Sequence, residues 1–212
     1  MIEWRFAPAV IVRSWSLGQV SSVSDLRSQA IFGPLDDLRC ECGKYEGREY
    51  DKMICDRCGV PIDSNAAWLR KTRLGHVDLA HYCRHPLGAE GGVIDAFPVA
   101  PVHYRVAAGG ETNELGRKYE ELLRVNEAIA TELPDRRSEA YYEAIRTFDR
   151  SRLEDAIARV VGQREALDTT VSRAAEHHSL LSELLSAIVR LDPAVASLVR
   201  AIGCTIRVEG ML

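Results

Sequence analysis

Residues 38 to 62 read LRCECGKYEGREYDKMICDRCGVPI, and the rest of the chain is organised around this segment. It holds four of the six cysteines, spaced as C-x-C, twelve residues, then C-x-x-C. Two close cysteine pairs joined by a short loop can place four thiolates around one tetrahedral Zn²⁺. Gly43 and Gly59 follow the two pairs, where glycine permits the tight turn that aims both sulfurs at one ion. The stretch therefore predicts a zinc ribbon with one structural ion and four ligands: Cys40, Cys42, Cys55 and Cys58.

The alternative interpretation of these cysteines is a pair of disulfides or four buried thiols. Cysteines this close in sequence suit a metal better, because a disulfide demands particular separations between the Cα atoms. Reduced thiols that hold a metal are typical of a cytoplasmic protein, and we expect that location.

Composition excludes several classes of protein. The 212 residues suffice for one large domain or two small ones, and 46% hydrophobic with 27% charged residues is ordinary for a globular protein. No run approaches the roughly 20 apolar residues that span a bilayer, so we expect no membrane segment. The early Glu3 and the lack of a long apolar run argue against a secretory signal. The chain has no phosphate-binding glycine loop and no nucleophile elbow, and we expect no small-molecule substrate.

Charge around the predicted ribbon allows only weak contact with nucleic acid. The net charge of the chain is −4, which gives no global attraction for phosphate. Between residues 39 and 73 there are eight basic and six acidic side chains, and a Zn²⁺ with four thiolates adds −2. A solvated strand edge is the alternative interpretation of the basic group at 70, 71 and 73. The candidate phosphate contacts are Lys44, Arg48, Lys52, Arg57, Arg70, Lys71 and Arg73.

The second half of the chain has helical periodicity. Apolar residues recur at steps of three and four over residues 111–133, which predicts a helix that Pro134 ends. Further helices are predicted over 137–148 and over 151–191, the second of them either continuous or broken near Gly162, and a terminal strand is predicted over 204–208. The fold class is therefore predicted as α+β, with a zinc-ribbon β domain over residues 1–107. A helical hairpin or small helical bundle is predicted over residues 108–212.

Two groups of histidines fall outside the ribbon. His81, Cys83 and His85 alternate on a predicted strand, so all three share one face. They form either a second metal site or a strand edge with mixed contacts, and the sequence leaves both open. His177 and His178 lie within a predicted helix, and we expect both at the surface.

Five strings then carry a resemblance to a known family. In their order along the chain they resemble the N-terminal zinc-binding region of the β′ subunit of bacterial RNA polymerase. The resemblance covers about residues 12–80, and a weaker one covers 94–130, so the chain resembles β′ without its clamp helices. The strings are RSWSLGQV at 13–20, IFGP at 31–34, CECGKY at 40–45, CDRCGV at 55–60 and RLGHVDLA at 73–80.

The resemblance implies a role in transcription without catalysis. The family's catalytic string, Asn-Ala-Asp-Phe-Asp-Gly-Asp, binds Mg²⁺ and is absent from this chain. We therefore expect a non-catalytic transcription-associated module that docks on RNA polymerase subunits, on nucleic acid, or on both. The alternative is a standalone, zinc-stabilised scaffold whose helical half binds a protein partner. A third possibility is a paralogue whose role is unrelated to transcription.

Overall fold

The computed structural model describes residues 18–84, 93–132, 164–188 and 190–191. Within them lie a three-stranded sheet and four α-helices, which confirms the α+β prediction. The strands are β1 (Gly18–Gln19), β2 (Gly75–Arg84) and β3 (Val93–Val99). The helices are α1 (Gln29–Phe32), α2 (Ala66–Thr72), α3 (Glu114–Glu132) and α4 (Arg164–Ile188).

The sheet has the order β1-β2-β3, and its first two strands are parallel. Gly18 lies opposite Gly75, and Gln19 lies opposite His76. The amide of Val20 extends the pairing by donating to the His76 carbonyl at 2.7 Å. A Cβ on Gly75 would lie only 2.9 Å from the Val20 side chain, so a larger residue would push the two strands apart.

Side-chain caps fix the starts of two helices. The Asn65 side chain accepts a hydrogen bond from the Trp68 amide at 3.0 Å at the start of α2. Asn113 does the same for Gly116 at the start of α3, also at 3.0 Å. In the described part of the chain, no helix combines the length and the apolar character needed to cross a membrane.

Some predicted elements differ from the observed ones. Helix α3 begins three residues later than the predicted helix over 111–133, because the Asn113 cap sets its start. Residues 70 and 71 lie in the last turn of α2, so the strand-edge interpretation was wrong for them. Only α4 is described within the predicted helix over 151–191. The elements predicted over 137–148 and 204–208 lie outside the described residues.

The chain divides into two compact units. Among the described residues, one contains 78–84, 93–97, 120–132 and α4, and the other contains 18–77 and 98–119. The predicted domain division at residue 107 stays a prediction. In the first unit, a stripe of fully buried side chains runs along α4: Leu181, Leu184 and Ile188.

The second unit buries a cation in its core. The Arg105 guanidinium carbon lies 4.4 Å from the Phe32 ring centroid, a cation–π distance, and Nε donates to the Ala100 carbonyl at 2.7 Å. The Tyr119 hydroxyl donates to the Pro98 carbonyl at 3.0 Å beside it. Burial lowers the pKa of Arg105 to about 10, so its side chain stays charged at neutral pH.

Candidate metal centre

The first cysteine pair sits on a tight turn. The Cys40 amide donates to the Tyr45 carbonyl, and the Gly43 amide donates to the Cys40 carbonyl, both at 3.1 Å. Gly43 has φ of +70°, a left-handed conformation that glycine adopts without a steric penalty. Both sulfurs of the pair lie on this turn.

The second pair repeats this arrangement. The Cys55 amide donates to the Val60 carbonyl at 3.0 Å, and the Gly59 amide donates to the Cys55 carbonyl at 2.8 Å. Gly59 has φ of +71°, so the second turn uses the same left-handed residue as the first. The predicted role of the two glycines is therefore visible in the backbone.

A short antiparallel ladder closes the base of the second turn. The Lys52 amide donates to the Ile62 carbonyl, and the Ile62 amide donates to the Met53 carbonyl, both at 2.7 Å. The Tyr45 and Tyr50 rings lie 4.9 Å apart across the loop between the turns. The two hydrogen bonds fix the chain on both sides of the second cysteine pair.

The four sulfurs converge on one point. The Sγ atom of Cys42 lies 3.7 Å from those of Cys40 and Cys55, and all four ligand atoms lie within 4.8 Å of one another. Zn–S bonds of about 2.3 Å in a tetrahedron separate the sulfurs by about 3.8 Å, which these distances match. A disulfide needs about 2.05 Å, and the cysteines are free thiols. The geometry of the cluster fits four ligands of one metal ion.

Backbone amides around the sulfurs favour thiolates. The Tyr45 amide donates to the Cys40 sulfur at 3.3 Å. Burial alone would raise the pKa of Cys58, but hydrogen bonds from the amides of Cys42 and Val60 lower it to about 7. The Lys44 amide lowers the pKa of Cys42, but burial and the neighbouring sulfurs outweigh it and raise that pKa to about 11. Four sulfurs this close together cannot all carry a negative charge unless a cation lies among them, and a metal ion would supply that positive charge.

Two of the predicted phosphate contacts already face carboxylates. Lys44 Nζ lies 2.7 Å from the Asp56 carboxylate, and Lys52 Nζ lies 2.7 Å from that of Asp63. The hydrogen bond that Lys44 donates to Asp56 raises the pKa of Lys44, and the one that Lys52 donates to Asp63 raises the pKa of Lys52. A phosphate would have to compete with these partners for both lysines.

The other five predicted contacts differ in exposure. Arg48, Arg57 and Lys71 are exposed to solvent. Arg70 is half-buried and donates from Nη1 to the Gly33 carbonyl at 3.3 Å. Arg73 is only 8% exposed, so an external phosphate has little access to it.

Large apolar side chains lie exposed beside the cysteines. Met53 is 45% exposed and Ile54 is 67% exposed, immediately before Cys55. The sequence placed both in a short hairpin between the cysteine pairs but gave no sign of a contact role, because exposed apolar residues are common on protein surfaces.

A second cluster of ligand atoms lies on β2 and α4. His81 Nε2 lies 2.8 Å from His177 Nδ1, and the Cys83 sulfur lies 3.4 Å from both nitrogens. All three side chains are buried, so the prediction of a surface His177 was wrong. His85, which the sequence grouped with His81 and Cys83, lies outside the described residues. Burial lowers the pKa of His177 to about 4, so its imidazole is neutral at pH 7.

The spacing of apolar residues in the sequence indicates that His177 is buried. Leu181, Leu184 and Ile188 follow it at steps of four, three and four residues, so His177 belongs to the same buried stripe of α4. The adjacent His178 lies about 100° further around the helix and is half-buried.

Comparison with known proteins identifies relatives of part of this chain. No protein-family model matches the chain. The β′ subunit of DNA-directed RNA polymerase from Thermotoga petrophila is 36% identical over 91 residues. Part of this chain is homologous to bacterial RNA polymerase β′. The four-cysteine cluster is consistent with the N-terminal zinc region of β′ that the sequence predicted.

The homology to β′ is partial on both sides. The match to the Thermotoga petrophila subunit covers 37% of this chain and 5% of that subunit. The β′ subunit of a Hydrogenobaculum species is 40% identical over 86 residues, covering 35% of this chain and 5% of that subunit. The β′ subunit of Limosilactobacillus fermentum is 34% identical over 96 residues, and the match covers 40% of this chain and 8% of that subunit. The chain thus spans less than a tenth of these β′ subunits.

Proposed function

We propose that this protein is a non-catalytic transcription-associated module, which docks on RNA polymerase through its four-cysteine segment, residues 38–62. The observation that carries the proposal is the convergence of four sulfurs within 4.8 Å in a chain that is partly homologous to β′. In this proposal one structural Zn²⁺ binds Cys40, Cys42, Cys55 and Cys58, and the protein works in the cytoplasm together with the polymerase.

Zinc gives this segment the rigidity that docking requires. The two cysteine turns have few buried side chains, mainly Val60 and Ile62 besides the cysteines. So small a core cannot stabilise a fold by itself, and metal binding supplies the missing free energy. We propose the segment as a zinc ribbon, followed by a helical half beyond residue 107 that contains α3 and α4.

Exposed apolar side chains supply a contact surface on this ribbon. Met53 and Ile54 lie next to the ligand Cys55, so the bound metal fixes their backbone. Exposed apolar residues on a rigid turn are suited to a partner's pocket, where removal from water contributes to binding. We place the polymerase contact on these two residues.

The proposed role is to bind rather than to catalyse. The chain lacks the aspartate string that holds Mg²⁺ in the polymerase family. Nucleic acid is a secondary, weak partner in this proposal, and Arg48, Arg57 and Lys71 are the exposed cations that serve it. Lys44 and Lys52 contribute less because each faces a carboxylate.

Capture of polymerase by the purified protein tests the proposal. The tagged full chain is immobilised with zinc bound, and purified RNA polymerase core enzyme from the same source is passed over it. We expect retention of the core enzyme by the wild-type chain. A Cys55→Ser chain should retain much less, because the loss of one ligand disorders the docking segment.

A standalone scaffold is the competing function, and the same experiment separates the two. The described part of α4 has a stripe of buried side chains, and a packed helix of this kind suits a scaffold. Failure of the zinc-loaded, folded wild-type chain to retain core enzyme contradicts docking on polymerase. Equal retention by the wild-type and Cys55→Ser chains would contradict the assignment of docking to the four-cysteine segment.

A further inference from the structure

We infer that His81, Cys83 and His177 form a second metal site in this protein, which takes a zinc-like transition metal ion. The inference is independent of the four-cysteine segment and of the proposed docking on polymerase. It rests on the placement, spacing and chemistry of the three side chains.

Strand and helix geometry bring the three ligand atoms together. His81 and Cys83 are two residues apart on β2, so their side chains leave the same face of the strand. His177 lies 96 residues beyond His81, on the buried stripe of α4. The convergence therefore arises from tertiary packing, and no local turn accounts for it.

The distances fit three ligands of one ion. Zinc bonds of about 2.0–2.1 Å to nitrogen and 2.3 Å to sulfur give nitrogen–sulfur separations of about 3.5 Å in a tetrahedron. Both nitrogen–sulfur distances are 3.4 Å. The two nitrogens lie 2.8 Å apart, a hydrogen-bonding distance, and they would separate by about 0.5 Å around an ion. A side-chain rotation of a few degrees achieves that change.

The surroundings of the cluster favour an ion over solvent. The flanking residues Leu79, Ala80, Leu180 and Leu181 are buried, so water has little access. Polar side chains are costly to bury in such a place, and one bound metal ion would coordinate all three of them. The site is built from interior side chains and does not depend on mobile surface groups.

The donor set selects the class of metal. Two imidazoles and one thiolate suit Zn²⁺ and its borderline or softer neighbours, whereas Mg²⁺ and Ca²⁺ prefer oxygen. Among the described residues, no carboxylate joins the three in a common cluster. A fourth coordination position is therefore left for a water molecule or another ligand, as in zinc sites with three protein ligands.

Metal content of the full chain tests this site. Tag-free protein is saturated with Zn²⁺, passed over a desalting column and analysed for zinc and protein. We expect two zinc ions per chain for the wild type, and one for Cys83→Ala and for His177→Ala. His178→Ala is the matched control: it changes the adjacent histidine of the same helix and should keep two.

Cobalt spectroscopy of the wild-type chain decides the question even if the variants do not fold. Co²⁺ should bind in two equivalents with different spectra, one with strong charge-transfer absorption from four thiolates and one with that of a single thiolate. A folded wild-type chain that binds only one equivalent of Co²⁺ and one of Zn²⁺ overturns the inference. So does a second equivalent whose absorption survives in a folded Cys83→Ala chain.

Discussion

At the scale of the residue, both the metal affinity and the fold of the four-cysteine segment depend on the sulfur atom of Cys55. It is buried, its amide anchors the second turn, and its sulfur lies 3.7 Å from that of Cys42. A serine at this position keeps the size of the side chain but replaces a thiolate by a poor zinc ligand. Because the segment has so small a core, the loss of one ligand removes metal affinity and fold together.

We therefore expect Cys55→Ser to lose the ribbon zinc almost completely and to melt at a lower temperature than the wild type. Elemental analysis and thermal unfolding followed by circular dichroism measure both effects. Cys204→Ser is the matched control, since the ribbon spacing does not use Cys204. Full zinc content and an unchanged melting temperature in Cys55→Ser would refute the four-thiolate assignment.

A substitution at Ile54 can test docking without disturbing the fold. Its side chain is 67% exposed, so a charge there costs little folding free energy but is unfavourable in a partner's apolar pocket. We expect Ile54→Asp to weaken binding to polymerase core at least about tenfold, as a central contact residue does. Zinc content should stay at the wild-type value.

Surface plasmon resonance with immobilised core enzyme measures this change. Leu35→Asp is the control, because Leu35 is 62% exposed and lies outside residues 38–62. Docking through Met53 and Ile54 is wrong if Ile54→Asp binds as tightly as the wild type. It is also wrong if Leu35→Asp loses as much affinity.

At the scale of the element, we expect the four-cysteine segment and α2 to make any contact with phosphate. Its cations form two groups. Lys44 and Lys52 face carboxylates, and Arg48, Arg57 and Lys71 are exposed to solvent. The second half of the chain, residues 108–212, carries 18 acidic and 14 basic residues and should repel phosphate.

We expect weak, salt-sensitive binding of the lone chain to DNA and RNA, with a dissociation constant on the order of 10⁻⁴ M or weaker at physiological salt. Replacing Arg48, Arg57 and Lys71 together by alanine should lower the slope of log K against log salt by about 2 to 3. Fluorescence anisotropy with short labelled strands measures this slope.

Arg124→Ala on α3 is the control for the salt dependence, because Arg124 is exposed but lies in the helical half. Its salt slope should equal that of the wild type. Tight binding that salt does not weaken would contradict the electrostatic argument. A triple variant with the full wild-type slope would contradict the choice of residues.

The two metal-ligand clusters differ in how far the sequence could predict them. The four-cysteine cluster was readable because its ligands are close in sequence and their spacing alone fixes two turns. The second cluster joins β2 to a histidine 96 residues away, which no spacing rule brings together. The apolar spacing of α4 placed His177 on a buried stripe, but nothing in the sequence shows which strand that stripe meets.

At the scale of the whole molecule, the partial homology to β′ leads us to expect binding without catalysis. The chain matches about a twentieth of the β′ subunits of Thermotoga petrophila and Hydrogenobaculum, and it lacks the family's aspartate string. We expect no RNA synthesis by the lone purified chain on a primed template with Mg²⁺ and nucleotides. Incorporation of labelled nucleotide is the measurement, with polymerase core enzyme as the positive control. Template-dependent incorporation by the lone chain would overturn the non-catalytic assignment.

The fold class was predictable because zinc-ribbon spacing and helical periodicity are both local patterns. Ion pairs such as Lys52 with Asp63, and the buried position of Arg105, were not predictable, because they depend on which segments pack together. A buried arginine has the same sequence signature as a solvated one. Only the neighbouring Phe32 and Tyr119 rings reveal its role in the core.

Because the four cysteine sulfurs lie so close together, the proposed zinc ion should protect them from oxidation. The sulfur of Cys42 lies 3.7 Å from two other sulfurs, and Cys58, with a pKa of about 7, is partly thiolate at neutral pH. A thiolate so close to other thiols reacts readily under oxidising conditions. After chelation in air, a free-thiol titration should therefore fall, and zinc should rebind only after a reductant is added. Zinc that rebinds fully without reductant would show that the emptied segment resists oxidation.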